Sequence, residues 1–384
     1  MARKKITILG STGSIGRQAL QIIDKFPERF QVTGLSCATN LKLLELQAKK
    51  FRPQMVVAAS EEDAKNLKKS LPRSIKVFSG PQALEELAAA GKSDTVLMAL
   101  VGAAGLKPLM SAIDAGRTIA LANKEPMVMA GKFITAAAKK KGARIIPVDS
   151  EHSAIFQLLQ GRAAGEVRRV ILSASGGPFL RRSKRELAAV SVEEAVRHPT
   201  WRMGRKISVD SATLMNKALE LIEARWLFGL DSDRIDVIIH PQSVVHSLVE
   251  MSDGSVFAHM SMPDMRIPIG FALFWPERPA LDFPRLELTK LKRLDFERPD
   301  LEKFPALRLG FKALKAQGTL PAVMNAADEE SVSAFLAGRI GFERIVGIVE
   351  EVMKEHRNTE PKNLGQVLKA DAWARNRAGE LTGV

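Results

Sequence analysis

Residues 147–157 read PVDSEHSAIFQ, which sets a carboxylate, a hydroxyl, a carboxylate and an imidazole side by side after the strand-like run ARIIPV. If extended geometry persists for two more residues, Asp149 and Glu151 point to one face, because side chains in a strand alternate with period two. Two carboxylates converging on one point repel each other unless a cation or a shared proton lies between them. The stretch therefore reads as a hard-metal site or as an acid/base dyad. A solvated polar strand end is the plain alternative.

Four further stretches carry residue types with chemical use. GSTGSIG places Gly10, Gly13 and Gly16 directly after a strand-like run and at the opening of a helical pattern. Glycines so placed let the backbone turn sharply and bring an anion onto the free N–H groups at a helix start, as a dinucleotide pyrophosphate requires. The acidic residue that usually holds the ribose 2′-hydroxyl of NAD is missing at the end of the second strand, where the chain reads CATN from Cys37 to Asn40. Its absence leaves room for a 2′-phosphate and favours NADPH.

LANKEP, residues 121–126, follows another strand of the same sheet, where loops line the ligand crevice. There Asn123 can contact the cofactor, Lys124 a substrate oxygen and Glu125 a ribose, although a helix cap with a surface ion pair would read the same. The run SVDSATLMNKALELIEARWLF is expected to be one helix, with Leu214, Ala218, Leu221 and Ile222 on one side and Asn216, Glu220 and Glu223 on the other. The second side is either a solvated face or a third carboxylate for the Asp149/Glu151 pair, with Ser211, Asn216 and Lys217 placed for a phosphate. SASGGPF, around Ser175, is a second small-residue turn suited to phosphate. It opens a long polar loop, 176–205, in which Trp201 stands beside His198 and Met203. A loop of that length is either functional or disordered, and a mobile lid with an aromatic tip fits the first case. His240, His246 and His259 lie in strand patterns without zinc-ligand spacing.

These residues need a frame to hold them. Up to Asp149, six strand candidates (KITILG, FQVTGLS, MVVAAS, TVLMALVG, TIALAN and ARIIPVDS) alternate with helical patterns, which predicts a parallel sheet covered by helices. The α/β organisation expected is a first domain over 1–150 and a second over 151–276 with four strands, RRVILSAS, RIDVIIHP, VVHSLVEM and SVFAHMSM. A proline-punctuated linker over 277–304 and a helical block over 305–384 follow. The 384 residues suit two or three domains. No apolar run reaches the roughly 20 residues of a membrane span, the apolar part of the N-terminal stretch is too short for a signal peptide, and the lone Cys37 forms no internal disulfide. The expectation is a cytoplasmic protein. The charge of +14 suits phosphorylated ligands, and its scattered basic residues lack a nucleic-acid-binding signature. With no tyrosine in the chain, a short-chain reductase that protonates through Tyr is excluded.

GSTGSIG, LANKE, PVDSEHSAIFQ, SGGPF, HPTWRMGRKISVDSATLMNKALE, EARWLF and HPQSVVHS, in this order and spacing, resemble the motifs of the 1-deoxy-D-xylulose 5-phosphate reductoisomerase family. The resemblance spans essentially the whole chain. It implies a Rossmann-type N-terminal domain, a central α/β domain that carries the site and packs a homodimer, and a C-terminal helical bundle. It further implies that NADPH and a divalent metal (Mg²⁺, Mn²⁺ or Co²⁺) rearrange and reduce a phosphorylated sugar. By the same resemblance Asp149, Glu151 and Glu220 would hold the metal. Lys124 and Ser150 would contact the substrate backbone, and Ser175, Ser211, Asn216 and Lys217 its phosphate, with His198 close by and Trp201 and Met203 in a flap. Thr12, Gly13, Ser14, Ile15, Ala38, Thr39, Asn40, Asn123, Glu125 and Gly204 would line the cofactor site. Where some members have a basic residue this chain has Thr39, whose hydroxyl can still bond a 2′-phosphate. A plain NADP-dependent dehydrogenase of another phosphorylated substrate is the rival reading.

Overall fold

Short β-branched runs between amphipathic helices become a seven-stranded parallel sheet. Its strands are β1 (Lys4–Leu9), β2 (Phe30–Ser36), β3 (Met55–Ala58), β4 (Lys76–Ser79), β5 (Thr95–Met98), β6 (Thr118–Leu121) and β7 (Arg144–Pro147), in the order β4-β3-β2-β1-β5-β6-β7. The computed structural model describes residues 2–90, 93–201 and 203–383, and these divide into two units. The first holds the chain through Pro126, Ile134–Ser150 and Met265–Phe283. The order reverses between β1 and β5, which opens a ligand crevice beyond the carboxyl ends of those two strands. The helix Ser14–Lys25 covers the sheet with Ala19, Leu20, Ile22 and Ile23 buried, the stripe its sequence spacing dictates.

Two features of this unit depart from the sequence reading. β4 is an additional strand, with Lys76 and Phe78 exposed at the sheet edge. The helix Arg266–Phe274, which the sequence groups with the second block, packs against helix 14–25 in the first unit. Phe274 meets Phe26 and Phe30 edge to face at 5.0 and 4.7 Å, contacts worth about 1 kcal/mol each. Lys4 Nζ donates to the carbonyls of Leu273 and Trp275 at 2.8 and 3.2 Å. The 277–304 segment is accordingly shared: residues up to Phe283 belong to the first unit, and Pro284 onward to the second.

The second unit contains Met127–Phe133, Glu151–Asp264 and the chain from Pro284. Its sheet has the four expected strands, β8 (Val167–Ala174), β9 (Ile235–Ile239), β10 (Val245–Met251) and β11 (Val256–Met260), in the order β11-β10-β8-β9. β10 and β11 form the hairpin that SDGS signals, with Gly254 at φ +89°. Met215–Phe228 and the helices Pro305–Ala316, Leu320–Leu336, Phe342–Glu355 and Leu364–Thr382 supply most of the remaining core.

The expected single helix over 208–228 is two. Arg205–Thr213 ends at Leu214, whose backbone is left-handed (φ 62°, ψ 12°), and Met215–Phe228 starts at once. Thr213 Oγ1 accepts from Met215 N at 3.2 Å and so caps the joint. The side chain of Leu214 is 3% exposed, and its burial offsets the roughly 1–2 kcal/mol that a left-handed residue costs. Part of the 176–205 stretch expected as loop is also helical. Two single-turn helices, Lys184–Leu187 and Val192–Ala195, each start with a capping box. Phe179, Leu187, Val190 and Ala195 pack with Phe335, Phe342 and Ile345 in a small core of their own.

Candidate active site

In the first unit the glycine loop has the form an anion needs. Gly10 lies at φ +86°, and a Cβ there would strike the Ala99 carbonyl. A Cβ on Gly16 would strike the Gly10 carbonyl and the Ser11 backbone. Gly13 precedes the first helix in extended conformation without any side-chain cap, and no acidic residue occupies the first turn. The helix start therefore presents backbone N–H groups and partial positive charge outward. Ser14, on the first turn, accepts from Gln18 Nε2 at 3.2 Å.

At the end of β2, Ala38, Thr39 and Asn40 are exposed. Asn40 Oδ1 caps the next helix by accepting from Leu43 N at 3.1 Å, so part of this expected cofactor contact serves local structure. Burial pushes the Cys37 thiol up to about 11, against a hydrogen bond with Thr12. Asn123 is buried and donates Nδ2 to Gly102 O at 3.2 Å and to Glu125 Oε2 at 2.6 Å. Its Oδ1 finds no protein donor among the described residues. An orphaned buried acceptor of this kind is what a bound ligand satisfies. Lys124 Nζ donates to Asp149 Oδ2 at 2.7 Å, and both side chains are nearly buried.

The extended geometry expected to pair Asp149 with Glu151 does not persist. β7 ends at Pro147 and a helix, Ser150–Leu158, begins, with Glu151 in its first turn. What gathers carboxylates in the second unit is Lys217. Its Nζ donates to Glu151 Oε1 at 2.7 Å and also to Glu220 Oε2. Glu220 Oε1 accepts from Asn216 Nδ2 at 2.5 Å. Lys217 and Glu220 are 3% and 0% exposed, so this face of the helix is not solvated. Two carboxylates on one ammonium leave a net negative charge at low dielectric, and the atoms that Glu151 and Glu220 offer to a cation are hard oxygens.

Beneath them lies a pair that the sequence reading missed. His152 Nε2 donates to the Glu220 carbonyl at 3.0 Å, and its Nδ1 lies 3.3 Å from Glu223 Oε2, both side chains being essentially unexposed. The pair ties the residue after Glu151 to the helix that carries Glu220. A histidine directly following a candidate ligand was the available signal.

Ser175, His198 and Ser211 belong to the same unit. Gly176 and Gly177 are both left-handed, at φ +83° and +69°, and a Cβ on Gly177 would strike the Ser211 carbonyl, so only glycine lets the Ser175 turn approach Ser211. His198 Nδ1 accepts from Thr200 N and Trp201 N at 3.1 and 3.0 Å, so the neutral ring carries its proton on Nε2. Nε2 donates to Ser175 Oγ at 2.9 Å, and Gly177 N donates to the same oxygen at 3.2 Å. Burial pushes the imidazole down to about 4. Ser175 thus accepts twice, and its own hydrogen is left to point at an incoming oxygen. Trp201 lies 6.2 Å from the His246 ring, centroid to centroid.

Three family models match: 1-deoxy-D-xylulose 5-phosphate reductoisomerase over residues 6–131, its C-terminal domain over 145–228, and the DXP reductoisomerase C-terminal domain over 260–377. The reductoisomerase of Heliobacterium modesticaldum is 51% identical over 383 residues, covering 99% of this chain and 98% of its own. That of Chlorobaculum tepidum is 48% identical over 381 residues, covering 99% and 100%. The chain belongs to the 1-deoxy-D-xylulose 5-phosphate reductoisomerase family.

Solved reductoisomerases of this family superpose over nearly the full length. The Zymomonas mobilis enzyme in complex with NADPH gives a TM-score of 0.92 at 44% identity, covering 99% of each chain. A DOX-P reductoisomerase in complex with NADPH, fosmidomycin and magnesium gives 0.95 at 39%, covering 99% of this chain and 98% of that one. Of the residues the reductoisomerase resemblance singles out, Glu151, Asn216, Lys217 and Glu220 form one hydrogen-bonded group, and Ser175 and His198 another. Gly204 is the N-cap of helix 205–213 in the second unit, whereas Thr12 to Ile15 lie in the first.

Proposed function

We infer that the protein catalyses the NADPH- and divalent-cation-dependent rearrangement and reduction of 1-deoxy-D-xylulose 5-phosphate to 2-C-methyl-D-erythritol 4-phosphate in the non-mevalonate isoprenoid pathway. The observation that carries this reading is the convergence of Glu151 and Glu220 on one buried positive charge. A plain dehydrogenase has no use for it.

The residues present fit both bound groups. The glycine loop with its uncapped helix start and the orphaned Asn123 Oδ1 suit NADPH. Asp149, Glu151 and Glu220 offer oxygen donors to Mg²⁺, Mn²⁺ or Co²⁺. A bound cation supplies Lewis-acid stabilisation of charge on the ketone oxygen, and NADPH supplies the hydride. The chain's own groups do the rest. Lys124, held by Asp149, presents an ammonium beside the substrate backbone with Ser150. The Ser175 hydroxyl donates to a phosphate oxygen, its direction fixed by His198 Nε2–H and Gly177 N–H, and Ser211 lies against the same turn. Phosphate binding far from the reacting carbons contributes positioning energy to the transition state. The Trp201 and Met203 segment closes over the substrate and excludes water.

The deciding experiment follows NADPH oxidation with 1-deoxy-D-xylulose 5-phosphate, with Mg²⁺ and after chelation. Metal-dependent oxidation yielding the branched polyol phosphate is expected. Oxidation indifferent to chelator would instead assign a plain dehydrogenase.

The protein acts as a homodimer paired through β11. This edge strand hydrogen-bonds only to β10 among the described residues, and it exposes Val256 and Phe257, 52% and 40% of their surface. An open apolar edge templates pairing with a second chain. Phe257→Asp should convert the dimer to monomers in sedimentation, whereas an unchanged mass would place the interface elsewhere. Among the described residues no helix is long and apolar enough to cross a membrane. The assigned compartment is the cytoplasm, and recovery of the protein in the membrane fraction of lysed cells would refute it.

A further inference from the structure

The helix Arg205–Thr213 carries Ser211 and joins the segment carrying His198 and Trp201 to the Glu220 helix. Its apolar contribution to the neighbouring core is small, Val209 and Ala212. Hydrophobic contact is non-directional, so two small side chains do not fix where this helix sits along its neighbour, Leu320–Leu336. A buried ion triad does. Lys206 Nζ donates to Asp210 Oδ2 at 2.7 Å, one turn on, and to Asp328 Oδ2 at 2.9 Å in the middle of helix 320–336. Asp210 and Asp328 are 2% and 0% exposed.

Both ends of the triad are tied onward. At the near end Ser208 Oγ donates to Gly204 O at 2.9 Å. Thr213 Oγ1 donates to Asp210 O at 3.2 Å, at the joint into helix 215–228. At the far end Glu329 and Glu330, next to Asp328, accept from Arg375 of the last helix at 2.8 and 3.0 Å, and Arg375 also holds Asp371 at 2.9 Å. Buried ion groups are often no more stabilising than apolar residues of equal volume, and their better-attested use is to specify register.

We propose that Lys206, Asp210 and Asp328 are positioning residues that fix the root of the 198–204 segment and the setting of Ser211, and thereby control affinity for the substrate's phosphate. This rests on the phosphate-binding reading given above. None of the three touches the reacting atoms, and the C-terminal helices serve as the platform against which the phosphate site is registered.

The test is Asp328→Asn in the full chain, which keeps shape and removes the charge. KM for 1-deoxy-D-xylulose 5-phosphate and the inhibition constant for inorganic phosphate are expected to rise together, at least tenfold. kcat should stay within threefold and NADPH affinity should not change, while amide exchange between residues 198 and 206 speeds up at least tenfold. Lys206→Arg, whose guanidinium can span both carboxylates, should keep KM within threefold. A lower active fraction and melting temperature with unchanged KM, phosphate inhibition and exchange would reduce the triad to a fold-stabilising role and overturn the proposal. Should Asp328→Asn not fold, Asp210→Asn is read the same way. If the wild type does not turn over the sugar phosphate, the functional reading fails. The triad is then judged by exchange and phosphate binding alone, and unchanged values in the variant reject it.

Discussion

Glu220→Gln lowers kcat/KM for 1-deoxy-D-xylulose 5-phosphate about a thousandfold at fixed Mg²⁺, a loss of about 4 kcal/mol of transition-state stabilisation. The amide keeps the shape of the carboxylate and can still accept from Lys217, so the helix stays in place. What is lost is one negative charge from a group in which Lys217 already neutralises one of two carboxylates. Because the glycine loop lies in the other unit, the dissociation constant for NADPH, followed by its fluorescence, is expected to remain within twofold. Turnover within threefold of wild type at the same metal concentration would remove Glu220 from the cation site. A parallel loss of NADPH binding would mean that the substitution damages the fold instead.

The glycine loop was legible from its glycine spacing after a strand, and six of the seven strands of the first sheet and all four of the second because each is short, rich in apolar residues and bounded by turn or polar residues. β4 was not. Its Lys76 and Phe78 face solvent at an edge and only Val77 is buried, so the four-residue run KVFS carries too little alternation to signal a strand. The break at Leu214 was invisible for a different reason: leucine favours helix, and neither Gly nor Pro marks the joint. Only Thr213, which caps Met215, gave a local hint. The two single-turn helices within 176–205 could have been found from SKRE and SVEE: Glu186 accepts from Ser183 N and Oγ, and Ser191 and Glu194 cap each other reciprocally.

For the site, residue types were a better guide than local geometry. Asp149 and Glu151 were singled out on the premise of a shared strand face, yet Glu151 is helical and meets Glu220 through Lys217. Which element packs on which is written in long-range contacts. Arg29 reaches Glu277 at 2.7 Å, and no local pattern reports that.

Lys217→Met separates two roles for this side chain. If Lys217 serves only a phosphate, its removal leaves the ligand-free protein as stable as before. The structure instead places its ammonium, 3% exposed, between Glu151 and Glu220. Methionine matches the length of most of the stem and removes the charge, which leaves carboxylates near one another without their shared partner. Removing one member of a buried ion group costs about 3–5 kcal/mol, enough to lower the midpoint of urea unfolding clearly for a protein of ordinary stability. The sign in the presence of metal is opposite. If the cation binds where the resemblance implies, it competes with the ammonium for the same oxygens in the wild type and is spared that competition in the variant. Mg²⁺ should therefore raise the stability of Lys217→Met more than that of the wild type, following the mass-action dependence on free metal. Turnover should not return with it if Lys217 also holds the substrate's phosphate, as the resemblance implies. Equal stabilisation of both proteins by Mg²⁺ would show that the cation does not bind where Lys217 now holds Glu151 and Glu220.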